Sequence, residues 1–129
     1  MSWENNLLGM RLEELTEDYM VVSDSKGKYK LEFIKYDGDC CGYSNIATEL
    51  YLDKTKKENP VITKVESNRL DDGGEWLDVT LFGHYKPFVE AEKLAVINFE
   101  SSSGSGWAYG AAITVRCKAL NITEEVTSW

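Results

Sequence analysis

The feature that most constrains this chain is an apolar side chain at every second position, repeated in short runs between turn residues. In Lys28-Tyr29-Lys30-Leu31-Glu32-Phe33, Tyr29, Leu31 and Phe33 fall on one face of an extended segment, and the charged residues fall on the other. Trp76 to Phe82 repeats the pattern with Leu77, Val79 and Leu81 directed inward, and Ala111 to Ala119 repeats it with Ile113, Val115 and Cys117. The Tyr19–Ser23 run meets Lys28–Phe33 across Asp24-Ser25-Lys26-Gly27, which predicts a hairpin with glycine at a position of positive φ. Val61 to Glu66 reads as a further strand, and Leu94 to Phe99, nearly all apolar, predicts a strand covered on both faces. Leu8 to Leu15 fits either period and leans towards strand, whereas Asn45 to Asp53 stays open between helix and strand. The expectation is a mainly β fold of six to eight strands. It is a single small antiparallel sheet domain over residues 1–129, a sandwich or partly open barrel with at most one or two short helices.

Charge and composition restrict function. Fourteen Lys and Arg against 22 Asp and Glu leave a net charge of −8, which argues against non-specific binding of nucleic acid or an anionic membrane. No apolar run approaches the roughly 20 residues of a bilayer span, and the N-terminal residues lack a basic, apolar leader. A cytoplasmic protein is expected. Cys40, Cys41 and Cys117 form a poor disulfide framework, since adjacent cysteines close only a strained ring. Reduced thiols follow from that compartment.

Little of the chemistry is specified. Cys40 and Cys41 with Asp37 and Asp39 lack the spacing of a zinc or calcium site, so packed thiols and turn acids explain them. His84, the single histidine, could pair with a cysteine and be oriented by Asp78, but no local signature accompanies it. There is no Walker loop, no Gly-x-Gly-x-x-Gly and no Gly-x-Ser-x-Gly, and no cofactor or metal is expected. The segment that stands out is Ser101 to Gly110. Its hydroxyls, Ser103 and Ser105 among them, can donate to phosphate or carboxylate oxygens, and Trp107 and Tyr109 offer stacking faces. Arg116 and Arg69 are the candidate bidentate partners of a phosphate. The plain alternative is a hairpin loop whose aromatics cap the sheet. Trp3 and Trp129, at the chain ends, are expected to pack on a sheet edge or dock a second subunit, which favours a homo-oligomer.

The short Leu-rich N-terminal segment, the hairpin closed by Asp24-Ser25-Lys26-Gly27, Asp39-Cys40-Cys41, and later Gly74-Glu75-Trp76-Leu77-Asp78-Val79-Thr80 occur in a recognisable order. In this the chain resembles a family of small domains of unknown function found largely in bacteriophage and prophage genomes, marked by Asp-Cys-Cys after the first hairpin. Gly42 stands where family members often carry an acid. The resemblance implies a phage setting, hence the host cytoplasm, and transfers no catalytic residue. With the Ser-Gly-aromatic loop it favours a non-enzymatic protein that sequesters a host nucleotide signal at sites between subunits. An acidic protein inhibitor of a host enzyme is the second expectation, and a small hydrolase the third.

Overall fold

The computed structural model describes residues 3–37, 43–53, 55–71, 74–86, 89–102 and 110–128. A 3-10 turn over Trp3–Leu7 precedes nine strands: β1 (Arg11–Leu15), β2 (Tyr19–Asp24), β3 (Gly27–Asp37), β4 (Tyr43–Leu50), β5 (Val61–Asp71), β6 (Gly74–His84), β7 (Glu92–Ser102), β8 (Ala111–Cys117) and β9 (Ile122–Ser128). A second 3-10 turn, Lys118–Leu120, joins the last two. All pairings are antiparallel, in the order β4-β7-β6-β5-β1-β2-β3-β8-β9, and the sheet stays open. No helix among the described residues is long and apolar enough to cross a membrane.

Local chemistry sets these strands. At the β2–β3 turn, Asp24 Oδ1 accepts the amides of Lys26 (2.8 Å) and Gly27 (3.2 Å), and Gly27 takes φ +152°. Gly9, at φ +85°, turns the chain out of the first 3-10 turn, so Leu8–Leu15 divides into turn and strand. Of Asn45–Asp53, the part up to Leu50 resolves as strand, paired with β7 from Tyr43↔Ser102 to Leu50↔Ala95, and residues 51–53 lie beyond it. The ninth strand, β9, has no clean alternation because register slips opposite Ile113/Thr114, leaving Val126 and Thr127 both buried. Expected cover on both faces of β7 is not what forms: Leu94, Ile97 and Phe99 are buried, while Val96, Asn98 and Glu100 are only half-buried.

The sheet bends at the seam between β5 and β1. There Arg11 pairs with Val61, and the Gly9 amide donates to Ile62 O, Ile62 to Met10 O and Leu12 to Pro60 O, at 2.8–3.0 Å. This bend lays β4, β7, β6 and β5 over the other five strands, with β6 and β7 meeting β9 and β4 meeting β3 and β8. Trp3, Phe33 and Phe99 interlock edge to face between the layers, with ring centroids 5.4–6.4 Å apart. Trp3 is 1% exposed, so it is a core residue rather than a sheet-edge or subunit-docking one; Trp129 lies outside the described residues. Three buried hydroxyls join the layers at one end. Ser101 Oγ lies 3.2 Å from Ser44 Oγ and 2.9 Å from Thr127 Oγ1, and Ser44 Oγ lies within 3.3 Å of the Tyr36 and Ala112 carbonyls.

Phe99 reaches both layers and is fully buried. Phe99→Ala is expected to cost about 3–5 kcal/mol in urea unfolding, with cavity formation adding to lost burial.

Candidate functional site

The register gathers one set of strand ends. Asp37 pairs with Ala111, Ala112 with Ser128, Tyr43 and Gly74 both with Ser102, and Asp71 with Glu75. The segments 38–42, 72–73 and 103–109 and the C-terminus are therefore rooted at the same end of the sandwich. Ser103, Ser105, Trp107, Tyr109, Cys40 and Cys41 lie outside the described residues. Around their roots are Tyr36, 58% exposed, Leu70, 60% exposed, and Tyr43. Tyr43 donates its hydroxyl hydrogen to Glu100 Oε2 at 3.0 Å, which holds the phenol above the ordinary tyrosine range.

Arg69 is at this end but is already engaged. Its Nη1 donates to Val126 O at 2.7 Å and lies 2.8 Å from Glu75 Oε1, which also accepts the Ser128 amide at 3.0 Å. Arg69 thus ties β5 and β6 to β9 while its side chain stays 44% exposed. Arg116 is elsewhere: five residues along β8 from Ala111 place it about 17 Å from the loop root. It stands beside Glu32, at 3.7 Å. The structure brings Arg69, and not Arg116, to the end of the sandwich where Ser102 and Ala111 flank the 103–109 segment.

The nucleophile arrangement does not assemble among the described residues. Asp78 and His84 are six residues apart on one strand, about 20 Å, and Asp78 Oδ1 accepts from Asn98 Nδ2 at 2.6 Å instead. Cys117 is buried, and among the described residues no group of three or more His, Cys, Asp or Glu side chains is placed to hold a metal.

The opposite end carries clefts that the sequence reading missed. Three adjoining depressions of about 260, 420 and 410 Å³ share Lys56 and Tyr85. Val61↔His84 pairing sets His84-Tyr85-Lys86 beside the 51–60 connection, and Gly83 permits it: a Cβ there would lie 1.9 Å from Val61 O. The Tyr85 hydroxyl accepts the Asp53 amide at 2.6 Å, and Lys56 Nζ lies 5.9 Å from the Tyr85 ring centre. His84 Nδ1 is shielded from solvent and has no hydrogen-bond partner. The clues in sequence were two lysine-bearing loops far apart in the chain, which only strand register could unite.

Thr55 donates its hydroxyl (2.6 Å) and amide (2.9 Å) to Asp53 Oδ1, and these bonds hold the carboxyl below its ordinary pKa. A depressed native pKa stabilises the fold above the unfolded value and ceases to do so as pH falls through the native one. An NMR titration of the Asp53 carboxyl should give a lower midpoint in the native chain than in Thr55→Ala. For the other end, Arg69→Met is expected to lower unfolding stability by about 1–2 kcal/mol, a charge-assisted bond discounted for exposure; a purely ligand-facing arginine would leave the urea midpoint unchanged. Comparison with family models, curated proteins and solved structures returns no match for this chain.

Proposed function

We propose that this chain is a non-enzymatic, phage-type binding protein that sequesters a small nucleotide signal in the cytoplasm of a host cell. The ligand is taken by the sandwich end from which the 103–109 segment springs, in a homo-oligomer whose sites lie between subunits. One observation carries the reading: strands distant in sequence deliver three connecting segments and the C-terminus to a single end, on a rigid scaffold. The segment rooted there combines Ser103 and Ser105 with Trp107 and Tyr109, donors and stacking faces suited to phosphate and base. A sequestering role needs tight, reversible contact and no reacting group, in keeping with the resemblance to phage domains.

A second reading, a protein inhibitor of a host enzyme, is favoured by one feature of the same end. Tyr36 and Leu70 are each more than half exposed beside the exposed acids Asp37 and Asp71. Aromatic and apolar groups within an acidic rim suit a basic protein partner.

Native mass spectrometry against cyclic and linear nucleotides separates these. The expected result is an oligomer carrying one nucleotide class, released unchanged on denaturation, with about 2.7 kcal/mol of added stability at 100 times the dissociation constant. Trp107→Ala should abolish that gain and leave the fold intact. An unliganded mass across the panel, with salt-sensitive capture of a single basic host protein, would overturn the nucleotide reading in favour of the inhibitor. Consumption of the nucleotide would overturn both.

A further inference from the structure

The two larger clefts at the end opposite the loop roots differ in chemistry although they meet. One is lined by Thr55, Lys56, Lys57, Glu58, Tyr85 and Lys86. The other includes Leu15, Leu50, Leu52 and Pro60, with Lys56, Glu58 and Tyr85 common to both. Among the described residues, Lys56, Lys57 and Lys86 form no ion pair with a carboxylate. The single acid of the lysine cleft, Glu58, is 3.6 Å from Arg11, and nearby Asp53 is occupied by Thr55. Three cations with no carboxylate within ion-pair distance, Lys56 acting on Asp53 only from farther off, surround one recess in a chain of net charge −8. The recess is also braced: the Asp53 amide donates to the Tyr85 hydroxyl just beyond β6, and the Asp53 carboxylate in turn holds Thr55. Beside it, the partnerless Nδ1 of His84 adds a further unused polar atom.

We propose that these two clefts form one binding site for a small amphiphilic phosphate ester. The phosphoryl group lies among Lys56, Lys57 and Lys86, and the ester's apolar portion lies against Leu50, Leu52 and Pro60, with the Tyr85 ring between them. Lysine suits this seat because its three rotatable donors follow a phosphate as a point charge, without a fork geometry to satisfy. The carboxylates of Glu13, Glu14 and Glu58, which also face the apolar cleft, are held by Ser23 and Lys28, by Tyr19, and by Arg11. They leave the leucine and proline wall as the surface open to the ligand. This site is independent of the loop end and of the nucleotide reading.

The test is an amide NMR titration of the full chain with phenyl phosphate, set beside inorganic phosphate and benzyl alcohol. Phenyl phosphate is expected to give saturable shifts confined to residues 50–60 and 84–86, weakening as salt is raised. Lys57→Glu with Lys86→Glu should weaken this binding about tenfold or more. Both positions are exposed, and unchanged spectra elsewhere would verify the fold of the double variant. Trp107→Ala should leave phenyl phosphate binding unchanged while affecting only the loop end. Absence of saturable shifts at these residues, or insensitivity to the two charge reversals, would overturn the proposal. So would equal affinity for inorganic phosphate, because the apolar wall would then play no part.

Discussion

Trp3, Phe33 and Phe99 hold the two layers of this protein in one arrangement. Each ring comes from a different element: a 3-10 turn, β3 in one layer and β7 in the other. The β5–β1 seam alone is a narrow junction, with Arg11↔Val61 as its register pair, and would leave the angle between layers poorly fixed. Edge-to-face packing of three large rings supplies that angle, because each ring edge seeks a neighbour's face and tolerates little sliding. The hydroxyl set of Ser44, Ser101 and Thr127 does the complementary work at the loop end, where apolar packing gives way to polar pairing.

The two ends of the sandwich differ because the same register that gathers connections at one end leaves clefts at the other. At the loop end, Arg69, Glu75 and the Ser128 amide draw β9 against β5 and β6, so the scaffold beneath the 103–109 segment is braced. At the far end, bracing comes from Asp53, Thr55 and Tyr85, and lysines surround the resulting recess. Charge is thus distributed unevenly on a chain that is acidic as a whole.

Much of the fold was legible where burial is one-sided. The Tyr19–Phe33 hairpin and the inward faces Leu77-Val79-Leu81 and Ile113-Val115-Cys117 form as their alternation predicts. Legibility failed where period and burial part company. The outer half of β5, from Glu66 to Asp71, is exposed on both faces and carries no pattern, and β9 is interrupted by a bulge. Trp3 could not be placed because its partners, Phe33 and Phe99, are remote in sequence. For the sites the same limit applied more strongly. Arg69 and Arg116 looked equivalent as residues, yet strand register separates them, and Lys56 meets Lys86 only because Val61 pairs with His84.

The strand order also determines what a ribosome must deliver before the protein can close. Hairpins β2–β3 and β5–β6 join neighbours in the chain and can form as soon as each emerges. Strand β4 cannot: its partner is β7, so Tyr43–Leu50 waits unpaired until Ala95–Ser102 has been made, and the outer edge of β3 waits longer for β8. Phe33 stays without Phe99 through the same interval. A nascent chain of this protein therefore presents open strand edges and an exposed aromatic for most of its synthesis. Folding dominated by such distant pairings is slow, and the incomplete chain, more than the finished one, is the form prone to associate with others.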